Sequence, residues 1–314
     1  MNPMIAGTAF VLALLCAAAM GLAIQRGTTC TVAAVEEWRT SRRTTRLAAM
    51  VEASLWVCAG VMLARQLGHA GAWPAGYAVS RWTGIGAALL GLGAVLNQAC
   101  VFGTVARLGS GQWVYAATPL GFYLGCVSVG AVFSPPRPLP VDSPLAGAPP
   151  WWPGLLMAGL LGLVLWRAWR ARAAQRIALS GAWSPHTATT VIGLSFAGLL
   201  LLAGAWTYTD VLQDLARGMA ASLLARAALG LAVLVGAIVG GWSSGTLRPG
   251  RFRASALLRC AAGGLLMGWG GALIPGGNDG LVLLGMPMLL PYAWVAFGTM
   301  VAVIAAALQV LAPR

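Results

Sequence analysis

Nine long apolar stretches decide what this chain can fold into: 3–24, 47–64, 82–97, 113–132, 151–166, 186–204, 219–241, 254–274 and 287–311. A helix crossing a bilayer needs about 20 mostly apolar residues, and in hydrocarbon every backbone N–H and C=O must find its partner inside the protein. With 59% hydrophobic and 9% charged residues, little chain is left over for a soluble domain. The expected fold class is therefore an all-α integral membrane protein of about nine transmembrane helices. The first stretch has no basic flank and no small-residue cleavage site, so it reads as a spanning helix and not as a removed signal.

Charge gives the orientation. The net charge of +13 comes from arginine alone, there being no lysine. Clusters fall at Arg39, Arg42, Arg43 and Arg46, at Arg167, Arg170, Arg172 and Arg176, and at Arg248, Arg251 and Arg253. With the N-terminus periplasmic and the C-terminus cytoplasmic, all three lie inside, and the opposite loops keep only Arg65, Arg81, Arg137 and Arg217, as the positive-inside rule requires. Basic patches interleaved with aromatics are absent, which argues against nucleic acid as a partner; the bilayer is the partner this charge pattern fits. No P-loop or other nucleotide signature is present. Cys16, Cys30, Cys58, Cys100, Cys126 and Cys260 show no metal-type spacing, so neither a metal nor another cofactor is expected.

Polar, glycine-rich backbone interrupts the apolar pattern at four places: 25–38 around Cys30, 97–111 around Cys100, 207–218 around Tyr208 and 275–286 around Asn278. Such backbone is tolerated at bilayer depth only where protein buries it or where it lines a watery path. Sliding the chain against itself by 178 positions sets Thr29-Cys30-Thr31 on Thr207-Tyr208-Thr209, Glu36 on Asp214, Arg81 on Arg259 and Cys100 on Asn278, without a gap. The first four spans start outside and the last four start inside, so the repeat is inverted. Interrupted or re-entrant helices of inverted repeats meet at a site near the membrane centre in transporters. The expected organisation is a first repeat over 1–133, with site loops at 25–38 and 97–111. A Pro-rich periplasmic linker, connecting helix and basic cytoplasmic loop follow over 134–185, and the inverted second repeat over 186–314 holds site loops at 207–218 and 275–286.

The segments RGTTCTVAAVEEW (26–38), LGAVLNQACVFGTVARLGSGQW (92–113) and GGALIPGGNDGLVLLGMP (270–287) resemble the YeeE/YedE sulphur-transport family over nearly the whole chain. The resemblance implies a bacterial inner-membrane importer of thiosulfate, a transporter and not an enzyme. It implies reactive cysteines in loops that fold inward from both faces, and a small cytoplasmic sulphur-carrier protein as partner. Cys30 is similar to the family's first-loop cysteine and Cys100 to its second. Where the family usually has a third, this chain reads Gly276-Gly277-Asn278-Asp279-Gly280, so the expected solute is thiosulfate or a related small sulphur-containing anion.

An anion crossing a bilayer needs donors without a deep charge trap. Neutral thiols at Cys30 and Cys100, with Thr29, Thr31, Asn97 and Gln98 beside them, would form a ladder of shallow sites, continued on the other side by Tyr208, Thr209, Gly277, Asn278 and Asp279. Plain packing of the two cysteines is the alternative. Arg26 either attracts the anion at the cytoplasmic mouth or snorkels to headgroups; Arg226 and Arg259 read as snorkelling. Asp279 either caps a half-helix or carries a proton. Glu52 is expected in an ion pair, and Glu36 and Asp214 as caps or ion-pair partners near helix ends. His69 and His186 have no ligand partner at metal spacing and are assigned no role. A second functional class, a membrane sulphurtransferase that forms a persulfide on Cys30 or Cys100 and hands sulphur to a soluble carrier, requires an activated thiolate with a basic partner, and only Arg26 is near in sequence.

Overall fold

The computed structural model describes residues 3–68, 76–135, 138–173, 181–218, 223–250, 252–274 and 276–311, with side chains omitted for 3–6 and 171–173. His69, Pro275 and Arg251 lie outside the described residues. The helices run α1 (Pro3–Gly27), α2 (Thr31–Ser41), α3 (Thr45–Gln66), α4 (Arg81–Asn97), α5 (Val101–Gly109), α6 (Ala117–Val132) and α7 (Trp152–Ala173). They continue through α8 (Pro185–Ala203), α9 (Tyr208–Ala216), α10 (Leu223–Ser243), α11 (Ala254–Leu273), α12 (Asn278–Gly280, leading into a wider π-type turn over Leu281–Gly285) and α13 (Pro291–Leu311). Nine segments among the described residues are long and apolar enough to cross a membrane, as the apolar stretches require; two of them, Gly7–Ser41 and Arg81–Gly109, join a long helix to a short one. The protein is an all-α multi-pass membrane protein.

Six helices precede α7 and six follow it, in the same order of long and short. The packing repeats with them. α1 lies on α10 as α8 lies on α3; α6 lies on α11 as α13 lies on α4; and α1 meets α8 while α4 meets α11. α7 packs chiefly on α3. The α1–α10 crossing is close because two glycines face backbone: a Cβ on Gly21 would fall 1.9 Å from the Val233 carbonyl oxygen, and one on Gly236 would fall 1.9 Å from that of Ala18. Small residues let helix backbones approach where lipid gives no hydrophobic push between helices.

The segments expected as site loops are mostly helical. In the first half Thr28 to Cys30 and Gln98 to Cys100 leave the helix, and α2 and α5 resume at once; in the second half Thr207 leads into α9 and Gly276-Gly277 into α12. The Pro-rich linker is tied down at two places. Pro140–Val141 pairs antiparallel with Gly76–Tyr77, setting Gly76 opposite Val141, and Ser143 donates to the Met288 carbonyl at 2.7 Å.

Two sets of charges inside this apolar body are paired. Glu52 is buried and accepts both from Arg167 Nη1, at 2.7 and 2.8 Å, and from His186 Nδ1 at 2.6 Å, which joins α3 to α7 and α8. Arg226, expected to snorkel, instead binds Asp214, the neighbour that the short helix α9 presents to it.

Candidate functional site

Both breaks in the first half are built alike. Thr28 and Gln98 take left-handed φ values of 47° and 59°. The next residue then bonds five back, Thr29 N–H to the Ile24 carbonyl at 3.1 Å and Ala99 N–H to the Ala94 carbonyl at 3.0 Å. One left-handed residue closes a helix C-terminus in this way. Extended backbone follows at Cys30 and Cys100, each of which is the cap of the next helix.

Neither thiol makes a side-chain cap hydrogen bond to its own helix. Thr31 N–H points at Cys100 Sγ, 3.1 Å away, and Cys100 N–H points at Cys30 Sγ, 3.5 Å away. The free N–H groups at the start of a helix need acceptors and carry partial positive charge. Here two helix N-termini and two thiols converge on one spot, with Cys100 and Thr31 fully buried and Cys30 partly exposed. A Cβ on Gly103 would fall 2.6 Å from Cys30 Sγ, so only glycine leaves that sulphur its place.

The second half reaches the same spot. Asn278, fully buried, donates from Nδ2 to Thr31 Oγ1 at 3.2 Å and leaves its Oδ1 without a partner among the described residues. Asp279 accepts from Thr209 N at 3.2 Å and from Thr209 Oγ1. Thr209 is the 178-residue counterpart of Thr31, so Asp279, one residue past the counterpart of Cys100, takes the part that Cys100 takes in the first half. Gly277 has no room for a side chain, since a Cβ there would fall 2.6 Å from Thr209 Oγ1. Tyr208 Oη is buried and has no hydrogen-bond partner among the described residues.

Other expected site residues are engaged elsewhere. Asn97 is fully buried and spends its amide on the Ala99 carbonyl, Thr104 and Thr118, at 2.8, 3.1 and 2.9 Å. Gln98 is exposed. Arg26 donates to the Gly181 carbonyl and to Ser243 Oγ at 2.9 and 2.8 Å, so it binds the protein instead of snorkelling.

Openings lie on both sides of the cluster. A narrow cleft lined by Thr28, Thr29, Arg46, Met50 and Thr189 leads to Cys30 at the start of α3 and α8. Beyond the far ends of those helices, a cavity of about 210 Å³ is lined by Tyr77, Asp210, Gln213, Arg217, Arg226 and Tyr292, and by Gly280 next to Asp279. Arg46 was hidden in the sequence by its place in a charge cluster. Asp210 was discoverable: Thr207 and Asp210 have capping-box spacing, and the Thr207 hydroxyl does accept the Asp210 N–H.

A family model described as sulphur transport matches residues 26–306. The chain belongs to the sulphur-transport family, the YeeE/YedE family. No curated protein matches it. The matched stretch of this sulphur-transport family member takes in both cysteine breaks, the Asn278-Asp279 turn and both openings.

Proposed function

We propose that this family member imports thiosulfate, or a sulphur-containing anion of similar size, across a bacterial inner membrane by way of Cys30 and Cys100. The reading is carried by one observation, the crossed contacts of Thr31 N–H with Cys100 Sγ and of Cys100 N–H with Cys30 Sγ. Sulphur is a weak acceptor, so an anion oxygen arriving there takes those N–H groups over, and the released thiol turns to donate its own S–H. Donors that are dipoles and not fixed cations bind the anion shallowly enough to let it leave.

The route begins at the cleft with Arg46, Thr28 and Thr29, crosses Cys30, Cys100 and Thr31, and reaches Asn278 Nδ2. It continues past Thr209, Gly277 and Asp279, with Tyr208 nearby, to the cavity on the far side. Asn97 and Gln98 belong to the turn before Cys100 and stay off the route. The exchange of packing partners about α7 supports two inverted copies, over 1–133 and 186–314, and the arginine clusters support a periplasmic N-terminus and a cytoplasmic C-terminus. A small cytoplasmic sulphur-carrier protein would then meet the face bearing the exposed Arg42 and Arg43, next to the cleft.

Uptake of labelled thiosulfate in cells stripped of their other sulphate and thiosulfate importers tests the reading. Expression of the chain is expected to restore uptake, and Cys30→Ala and Cys100→Ala to abolish it; uptake that survives both substitutions sinks the cysteine route. Mass spectrometry after exposure to thiosulfate is expected to recover both thiols unmodified. A persulfide on either one would move the reading to a sulphurtransferase that passes sulphur to the carrier.

A further inference from the structure

Cys100 and Asp279 do the same structural work in the two halves but differ in charge. Each accepts the backbone N–H of a threonine, Thr31 or its counterpart Thr209, at 3.1 and 3.2 Å. A thiol there leaves the route neutral. An ionised carboxylate there opposes any anion, by about 4 kcal/mol for unit charges 4 Å apart at an effective dielectric near 20, and more for a dianion. The route is open to an anion only while Asp279 holds a proton.

A second carboxylate gives that proton a way in. Asp210 lines the 210 Å³ cavity, lies near enough to Asp279 for their charges to repel, and has the Thr207 hydroxyl as its side-chain hydrogen-bond partner. Two polar atoms beside these acids lack partners among the described residues, Asn278 Oδ1 and Tyr208 Oη. Asn278 is fully buried, and its Oδ1 is an acceptor without a donor among the described residues.

We propose that the chain moves a proton together with the anion, Asp210 taking it from the cavity and Asp279 holding it while the anion passes. This rests on the transport reading above. Only O–H bonds form and break: a hydronium ion in the cavity gives a proton to Asp210 and leaves water, Asp210 passes the proton to Asp279, and Asp279 releases it to water on the other side when the anion leaves. The titratable and charged groups around Asp279 come from every side. Tyr208 and Asp210 belong to α9, and Cys30 and Cys100 cap α2 and α5. Tyr77, Tyr292 and Arg217 lie around the cavity, and Arg226 of α10 is bound to Asp214.

The test uses the purified full chain in liposomes with a pH-sensitive dye inside, equal potassium on both sides and valinomycin to hold the membrane potential at zero. Labelled thiosulfate is added outside, and its accumulation is read together with luminal pH. The interior is expected to acidify in step with thiosulfate entry, and Asp279→Asn to lose the proton movement per thiosulfate carried, whatever flux it keeps. Thiosulfate entering the unmodified protein with no change in luminal pH overturns the proposal and leaves the transport reading standing. No thiosulfate entry at all takes the transport reading down, and this inference with it. An Asp279→Asn chain that keeps the full proton-to-thiosulfate ratio also overturns the proposal.

Discussion

Gly103 fixes where the Cys30 sulphur lies, because a Cβ there would fall 2.6 Å from Sγ and 3.1 Å from the Ala99 Cβ. Gly103→Ala is expected to cost about 1–3 kcal/mol from overpacking and to push the sulphur off the Cys100 N–H. Uptake should therefore fall much further than a thermal-melting measurement of the purified protein would suggest. Asn97→Ala should behave in the opposite way. It strands the Thr118 hydroxyl and the Ala99 carbonyl, which costs about 1–3 kcal/mol for a buried polar group left unpaired, while the protein that still folds transports normally per molecule. A lower melting temperature with unchanged uptake per folded chain is the expected result, and lost uptake at full stability would return Asn97 to the route. The contrast shows what the sequence can reveal at this scale. Cys30 and Cys100 stand out because polar residues in an apolar run are costly and need a reason to be there. Whether such a residue serves a solute or a helix turn is invisible, since an amide that staples a turn and an amide that binds an anion look alike. Arg46 was missed for the same cause: among Arg39, Arg42 and Arg43, its charge reads as topology.

The spans were legible as elements because a bilayer imposes length and apolarity on each of them, whereas α2, α5 and α9 were read as loops. The breaks before α2 and α5 sit on Thr28 and Gln98, not on glycine or proline, so the usual local signals for a left-handed residue are missing there, whereas the break before α9 starts at the left-handed Gly204. Contacts between elements were less legible still, because glycine matches in a glycine-rich chain carry little information. The α1–α10 crossing depends on them all the same. Gly236→Val would place a branched side chain where even a Cβ comes within 1.9 Å of the Ala18 carbonyl oxygen, and backbone cannot give way as a flexible side chain can. The expected cost is about 3 kcal/mol or more, seen as loss of the folded peak in size-exclusion chromatography of detergent extracts. Gly159→Val on α7, where an added Cβ meets nothing within 4 Å, should leave that peak unchanged.

For the molecule as a whole, the positive-inside rule and the geometry of the openings make one joint prediction. The cleft to Cys30 lies where α1 ends and α3 and α8 begin, and the cavity with Asp210, Arg217 and Arg226 lies beyond the opposite ends of α3 and α8. If the arginine clusters face the cytoplasm, only the cytoplasmic side offers a way to Cys30, because Cys100 and Asn278 beyond it are fully buried. A negatively charged, membrane-impermeant thiol reagent should therefore label Cys30 in inside-out vesicles and leave it untouched in right-side-out ones. Cys30→Ala identifies the labelled site by removing it. Thiosulfate present during labelling should slow the reaction, because solute and reagent compete for the same two helix N-termini; sulphate-free buffer keeps that comparison clean. Labelling from the periplasmic side alone would invert the orientation, and with it the assignment of the Arg46 cleft as the inner mouth. Equal labelling from both sides would mean that the chain rests with its route open across the cluster, which a carrier that exposes its site to one face at a time cannot do.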